Sequence, residues 1–180
     1  MSWLDQIKAR VRGTKTVKDL ERLGFTHGNN FHMQEDVLID RGHCMLISVG
    51  DDVTLAPRVH LLAHDASTKI WLNCTKLGEV IIGNRVFIGA GSIVMPGVTI
   101  GDDVIVGAGS IVTKSLRSGY VYVGQPARKF MSLEDYLEKQ ESRFHTLPYF
   151  DSSYHIDVAS KEAIDQLKNM VHESRGGYIE

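Results

Sequence analysis

A six-residue beat constrains this chain more than any other feature. From Ile82 onward it divides into IGNRVF, IGAGSI, VMPGVT, IGDDVI, VGAGSI and VTKSLR. The first place of every unit is aliphatic: Ile82, Ile88, Val94, Ile100, Val106 and Val112. The second is glycine in four of the six. The fifth is small or β-branched in Val86, Ser92, Val98, Val104 and Ser110, and Leu116 breaks that rule at the end. An amphipathic helix repeats at 3.6 residues and a half-buried strand at 2, and neither locks onto six. A short fixed period belongs to a solenoid, in which each unit is a brief strand and a turn and stacking builds a continuous core.

The same beat runs earlier in VGDDVT (49–54), LAPRVH (55–60) and the start of a third unit, LLAH (61–64). Upstream, VLIDRGHCMLI is strand-like but slips register near Met45. Between His64 and Gly78 the repeat is absent, and DASTKIWLNCTKLG is polar with one tryptophan. Coils that restart in phase after an interruption predict a loop projecting from a rigid scaffold, the usual place for function. The repeat region is therefore expected over residues 28–130, with an inserted loop at about 65–78.

The ends read differently. Residues 1–27 form an N-terminal helical segment, with one helix over 2–12 and another from Thr16, its N-cap, to Leu23, stopped by Gly24. Residues 131–180 form a C-terminal helical extension. There Ser132 and Asp135 open LEDYLEKQESRF as a capping box, and HTLPYFDSSYHIDV is irregular. Ser160 caps KEAIDQLKNMVHES, which Gly176 and Gly177 end. Helical covers suit the exposed ends of a solenoid.

Composition narrows the partners. Twenty basic and 22 acidic side chains leave a net charge of −2, which excludes a strong electrostatic pull toward nucleic acid or anionic membrane. No apolar run approaches the ~18 residues of a membrane span. The opening MSWLDQIKARVRG lacks the apolar stretch of a signal peptide, so a cytoplasmic location is expected. Cys44 and Cys74 form no CxxC pair, which argues against a disulfide framework and against a thiolate zinc site.

The hexads, the loop after LLAHDAS, and GQPARKF at 124–130 resemble the hexapeptide-repeat acyltransferases. Nearest is the branch of galactoside and maltose O-acetyltransferases and polysaccharide O-acetyltransferases. VTLAPRVHLLAHDAS and IGAGSIVTK carry the likeness most specifically, over about residues 28–130. The resemblance implies a mainly β fold: a left-handed parallel β-helix of 18 residues per turn, with short N-terminal helices and C-terminal helices. It also implies a homotrimer, acetyl-CoA as co-substrate and direct acetyl transfer to a hydroxyl of a saccharide or other small-molecule acceptor.

Such transfer needs a base for the acceptor O–H, and an imidazole titrating near pH 6.5 suits the task. His64 stands where the regular coil gives way to the loop. From position alone it is either a base or a loop-edge histidine bonded to backbone; the resemblance assigns it to the catalytic histidine. Asp65 follows where the sugar enzymes commonly have proline, and it is open between orienting the imidazole, binding acceptor and forming a turn. Asp40 lies near an acceptor-binding asparagine of those enzymes, and is read as an acceptor-binding or His-orienting carboxylate or as a solvated corner. Trp71 either stacks on a sugar ring or packs against a neighbouring subunit. For the cofactor, the resemblance points to Ala90 and Ala108 beside the pantetheine arm. It also points to Thr113 and Lys114 near the nucleotide, and to Arg128 as a forked cation for a phosphate.

Other readings compete. An antibiotic-modifying or serine O-acetyltransferase differs only in its acceptor, although serine acetyltransferases usually carry a large helical N-terminal domain. A zinc-dependent carbonic anhydrase of the γ type would use three histidines, and His43, His60 and His64 are the candidates. His60 and His64 are four apart where that pattern needs five, and no histidine occurs between residues 65 and 144, so no metal is expected. A non-catalytic scaffold would need neither the histidine, the Thr-Lys pair nor GQPAR.

Overall fold

The computed structural model describes residues 16–180; the helix expected over residues 2–12 lies outside them. Strands are numbered in chain order, and three parallel sheets form the sides of a β-helix. One side stacks β1 (Thr26–His27), β4 (Ile47–Val49), β9 (Val80–Ile82) and β12 (Thr99–Ile100). The second stacks β2 (His32–Met33), β5 (Thr54–Leu55), β10 (Phe87–Ile88), β13 (Ile105–Val106) and β15 (Tyr120–Val123). It ends in β16 (Arg128–Ser132), the one antiparallel neighbour, paired with β15. The third stacks β3 (Leu38–Ile39), β6 (His60–Leu61), β11 (Ile93–Val94) and β14 (Ile111–Val112).

The beat maps directly onto the core. All six first-place aliphatics, Ile82 to Val112, are at most 2% exposed. Burying each contributes roughly 1.5–3 kcal/mol. The fifth places also point in. Two of them are serines, and both are satisfied by backbone. Ser92 Oγ donates to Gly107 O (3.0 Å), and Ser110 Oγ donates to the same carbonyl (2.6 Å) while accepting from Gly124 N–H. Leu116, the exception, closes the last coil through a bridge to Ile100. The second-place glycines let backbones stack. A Cβ on Gly89 would stand 2.4 Å from Ala108 N in the next coil.

One column of corners is tied by side chains. Asn29 N–H donates to Asp51 Oδ1 (2.6 Å), Asp51 N–H to Asn84 Oδ1 (2.9 Å) and Asn84 N–H to Asp102 Oδ1 (2.7 Å). The sequence steps along this column are 22, 33 and 18 residues. The last step is the regular coil. The first carries four extra residues and the second fifteen. The four fall between β3 and β4, where a 3-10 turn, Cys44–Leu46, accounts for the slipped register at Met45. The fifteen fall between β6 and β9. Both insertions thus leave the helix at the same corner, one coil apart.

The second insertion is not a formless loop. Its stem pairs β7 (His64–Asp65) with β8 (Lys76–Leu77) antiparallel, and its tip holds a one-turn helix, α2 (Lys69–Leu72), closed by Asn73 at φ +49°. The first helix described, α1 (Val17–Glu21), has the expected Thr16 N-cap, made a capping box by Asp19. It stops at Arg22, two residues before the expected stop at Gly24, which supplies the following left-handed residue at φ +97°.

By compactness the chain divides after Leu133. The C-terminal unit takes α3 (Leu133–Phe144), which matches LEDYLEKQESRF, from its second residue onward, and contains α4 (Lys161–Ser174), capped by Ser160. Two expectations change here. Residues 145–158 are not wholly irregular, because β17 (Tyr149–Phe150) pairs in parallel with β18 (Tyr178–Ile179). Helix α4 ends on Arg175 in the left-handed conformation, φ +56°, so the stop lies one residue before the glycines. Gly177 serves packing instead: a Cβ there would lie 2.9 Å from the Phe150 ring.

Candidate active site

The two insertions converge on a histidine and a carboxylate. Asp40 begins the four-residue insertion and His64 begins the fifteen-residue one. His64 Nδ1 bonds Asp40 Oδ2 across the coil step. Asp40 is 4% exposed, and the remaining bonds to its carboxylate come from backbone. Ala63 N–H donates to Oδ2 (3.1 Å) and Gly42 N–H to Oδ1 (3.2 Å). Burial raises the carboxyl's pKa, but the His64 hydrogen bond, the Ala63 N–H and the charges of His64 and His43 outweigh it. Asp40 is held below the ordinary carboxylate range and is ionised at neutral pH. An ionised acceptor on Nδ1 fixes the neutral imidazole as the Nδ1–H tautomer and leaves Nε2 with its lone pair.

A third residue joins them. The His43 ring lies 4.8 Å from the His64 ring, tilted by 43°, and its Nδ1 faces Asp40 Oδ1 at 3.6 Å. That nitrogen is buried and lacks a hydrogen-bond partner among the described residues. His43 enters the sequence argument only as one of three candidate zinc histidines. The signal for its real setting is the D-x-x-H spacing inside the slipped register. Of that candidate trio the metal-capable group holds His43 and His64, with Asp40 in place of His60.

Asp65 is engaged elsewhere. Its carboxylate accepts from Ser67 N–H (2.8 Å) and pairs with Lys76 Nζ at 2.8 Å across the β7–β8 stem. The Lys76 bond, then the Ser67 bonds, hold its carboxyl far below the usual range. Turn former and stem ion pair is the geometry found, and the carboxylate on the imidazole is that of Asp40. Asp65 and Lys76 also wall a groove of about 300 Å³ with Gly78, Met95, Gly97 and Thr113. Thr113 thus stands at the same corner as the insertions, two coils beyond His64, with exposed Lys114 next to it. Ala90 and Ala108 stack at a different corner, where Gly109 N–H donates to Ala90 O (2.8 Å). Exposed Arg128 sits in β16, its guanidinium bonded to Ala127 O. Trp71 rides the tip of the finger, 78% exposed between exposed Ile70 and Leu72.

Fold and repeat together are similar to those of hexapeptide-repeat proteins, and the model described as the hexapeptide repeat of succinyl-transferase matches residues 79–114. Among such proteins the chain is similar to acetyltransferases. A maltose O-acetyltransferase from Clostridium difficile 630 is 38% identical with a TM-score of 0.53, over 59% of this chain and 57% of that one. A galactoside acetyltransferase solved in complex with coenzyme A is 30% identical with a TM-score of 0.50, over 63% of this chain and 62% of that one. Protein CapG of Staphylococcus aureus is 46% identical over 100 residues, 52% of this chain and 57% of that protein. The chain therefore spans less than three fifths of the length of the curated relatives it matches. The likeness gives the β-helix its left hand. Among the described residues no helix is long and apolar enough to cross a membrane.

Proposed function

We propose that the chain is an acetyl-CoA-dependent O-acetyltransferase acting on a hydroxyl of a sugar or polysaccharide precursor, with His64 as general base. The observation that carries this reading is the Asp40–His64 pair, built where both insertions leave the coil. Asp40 accepts from Nδ1–H, so Nε2 is free to take the acceptor proton. The acceptor oxygen then attacks the acetyl carbonyl carbon, and the C–S bond breaks as the tetrahedral intermediate collapses. The sulfur leaves as thiolate and recovers the proton from the imidazolium, giving CoA thiol and the acetyl ester. Asp40 stabilises that transient imidazolium and is the positioning residue.

The remaining assignments rest on the relatives and on placement. Ala90 and Ala108 offer a corner without side-chain bulk to the pantetheine arm. Thr113, Lys114 and Arg128 serve the nucleotide end. Trp71 and the finger face the acceptor, and the working unit is a homotrimer in the cytoplasm. An acceptor screen that follows acetyl-CoA-dependent thiol release tests the reading, using galactosides, maltose, serine and aromatic antibiotics. Release with a saccharide and not with serine is the expected outcome. Release with serine or an antibiotic alone moves the acceptor class, and no release with any acceptor from a metal-free, folded preparation overturns the enzyme.

A further inference from the structure

We propose that Asp40, His43 and His64 form a binding site for a divalent transition-metal ion, zinc first, and that its occupancy switches off the base. The binding stands on geometry alone, and the consequence for catalysis rests on the reading of His64 given above.

One ligand atom from each of the three residues lies within 4.8 Å of the others. A tetrahedral zinc ion with nitrogen and carboxylate ligands at about 2.0–2.2 Å holds neighbouring ligand atoms about 3.3–3.6 Å apart. The gap of 3.6 Å between His43 Nδ1 and Asp40 Oδ1 is already of that size. It is too long for a hydrogen bond and too short for an intervening water. The buried His43 Nδ1 lacks a hydrogen-bond partner among the described residues, a cost that an ion at this point removes. Two imidazoles and a carboxylate are borderline ligands that suit zinc. The carboxylate is already oriented by the Ala63 and Gly42 N–H groups, as ligands commonly are by an outer shell. The His43 and His64 side chains are about one third exposed (33% and 38%), which gives an ion an entry path and a fourth, solvent-filled position.

The inhibitory step is a change of tautomer. Free His64 carries its proton on Nδ1, against Asp40. An ion on Nδ1 needs that lone pair, so the proton moves to Nε2, the atom that must accept from the substrate hydroxyl. No electron is transferred and, with both imidazoles neutral, no proton is released.

The experiment uses the full chain, stripped of metal with a chelator and titrated with zinc chloride alone. Calorimetry and equilibrium dialysis should find one ion per chain. His43→Asn and His43→Phe, each checked for an unchanged far-ultraviolet spectrum, should weaken binding at least roughly tenfold, while His145→Asn, an exposed histidine of the C-terminal unit, should bind as the parent does. Zinc should suppress thiol release in the parent, a chelator should restore it, and the His43 variants should resist. Absence of stoichiometric binding, or binding equal in the parent and both His43 variants, overturns the site. Zinc binding that depends on His43 beside full turnover by His64→Ala keeps the site and removes the base assignment, so the two failures are distinguishable.

Discussion

Residues 80–112 and residues 39–78 follow the same three-sided template and use it for different ends. In the first stretch the coil is 18 residues and every first-place side chain is a buried aliphatic. Its buried polar groups, Ser92 and Ser110, bond backbone within or beside their own coil. In the second stretch the coil is lengthened twice at one corner, and the buried polar group is a charge, Asp40. A buried carboxylate is tolerated only when its oxygens are occupied, and here backbone N–H groups and an imidazole occupy them. The regular coils hold the molecule together, and the irregular corner spends part of that stability on a polar site.

Mutations that separate these two roles sharpen the comparison. The largest effect is expected from His64→Ala, which should lower kcat by about 10²–10⁴ with little change in the unfolding midpoint, read by thiol release beside a thermal melt. Ile88→Ala should do the reverse. A fully buried isoleucine truncated in a close-packed coil costs about 2–5 kcal/mol, seen as a lower denaturant midpoint, while the His64–Asp40 bond one coil away is untouched. Gly89→Ala places a methyl carbon against Ala108 N and should cost about 1–3 kcal/mol through forced backbone movement.

Acid provides a subtler break. Because Asp40 is held below its unfolded value, its contribution to stability is full above about pH 4 and is lost as pH falls through the lower folded value. The stability gap between the parent and Asp40→Asn in urea should therefore be widest near neutrality and shrink toward pH 3; a gap that widens in acid contradicts the pairing. The smallest expected effect belongs to Trp71→Ala. Stability should change by less than about 0.5 kcal/mol, as for other exposed sites, with any consequence confined to the acceptor KM.

The regular stretch was legible because its period is a local property: six residues suffice to see the rule, and the six units from Ile82 repeat its aliphatic first place throughout and its small or β-branched fifth place until Leu116. The corner was less legible because its contacts are set by insertion lengths. Asp65 is next to His64 in sequence and Asp40 is 24 residues away, yet the coil step brings Asp40 onto the ring while the β7–β8 stem turns Asp65 toward Lys76. His43 reaches the same place only because four extra residues swing outward before β4, a length that no local pattern announces. The finger helix Lys69–Leu72 and the stop at Arg175 were hidden for a similar reason, since a left-handed asparagine or arginine closes each helix where glycine is the common signal. The hand of the β-helix came from likeness, because a period of six is the same in either hand.

The corner column of Asn29, Asp51, Asn84 and Asp102 has a further consequence. Each member bonds the column member in the adjoining coil, so the molecule keeps its count in whole coils and each coil answers to its immediate neighbours. Length then becomes an editable integer. Repeating an 18-residue block within 80–112 extends the ladder by one rung and leaves every other rung in phase, whereas a block of 17 or 19 turns each inward aliphatic beyond it out of the core.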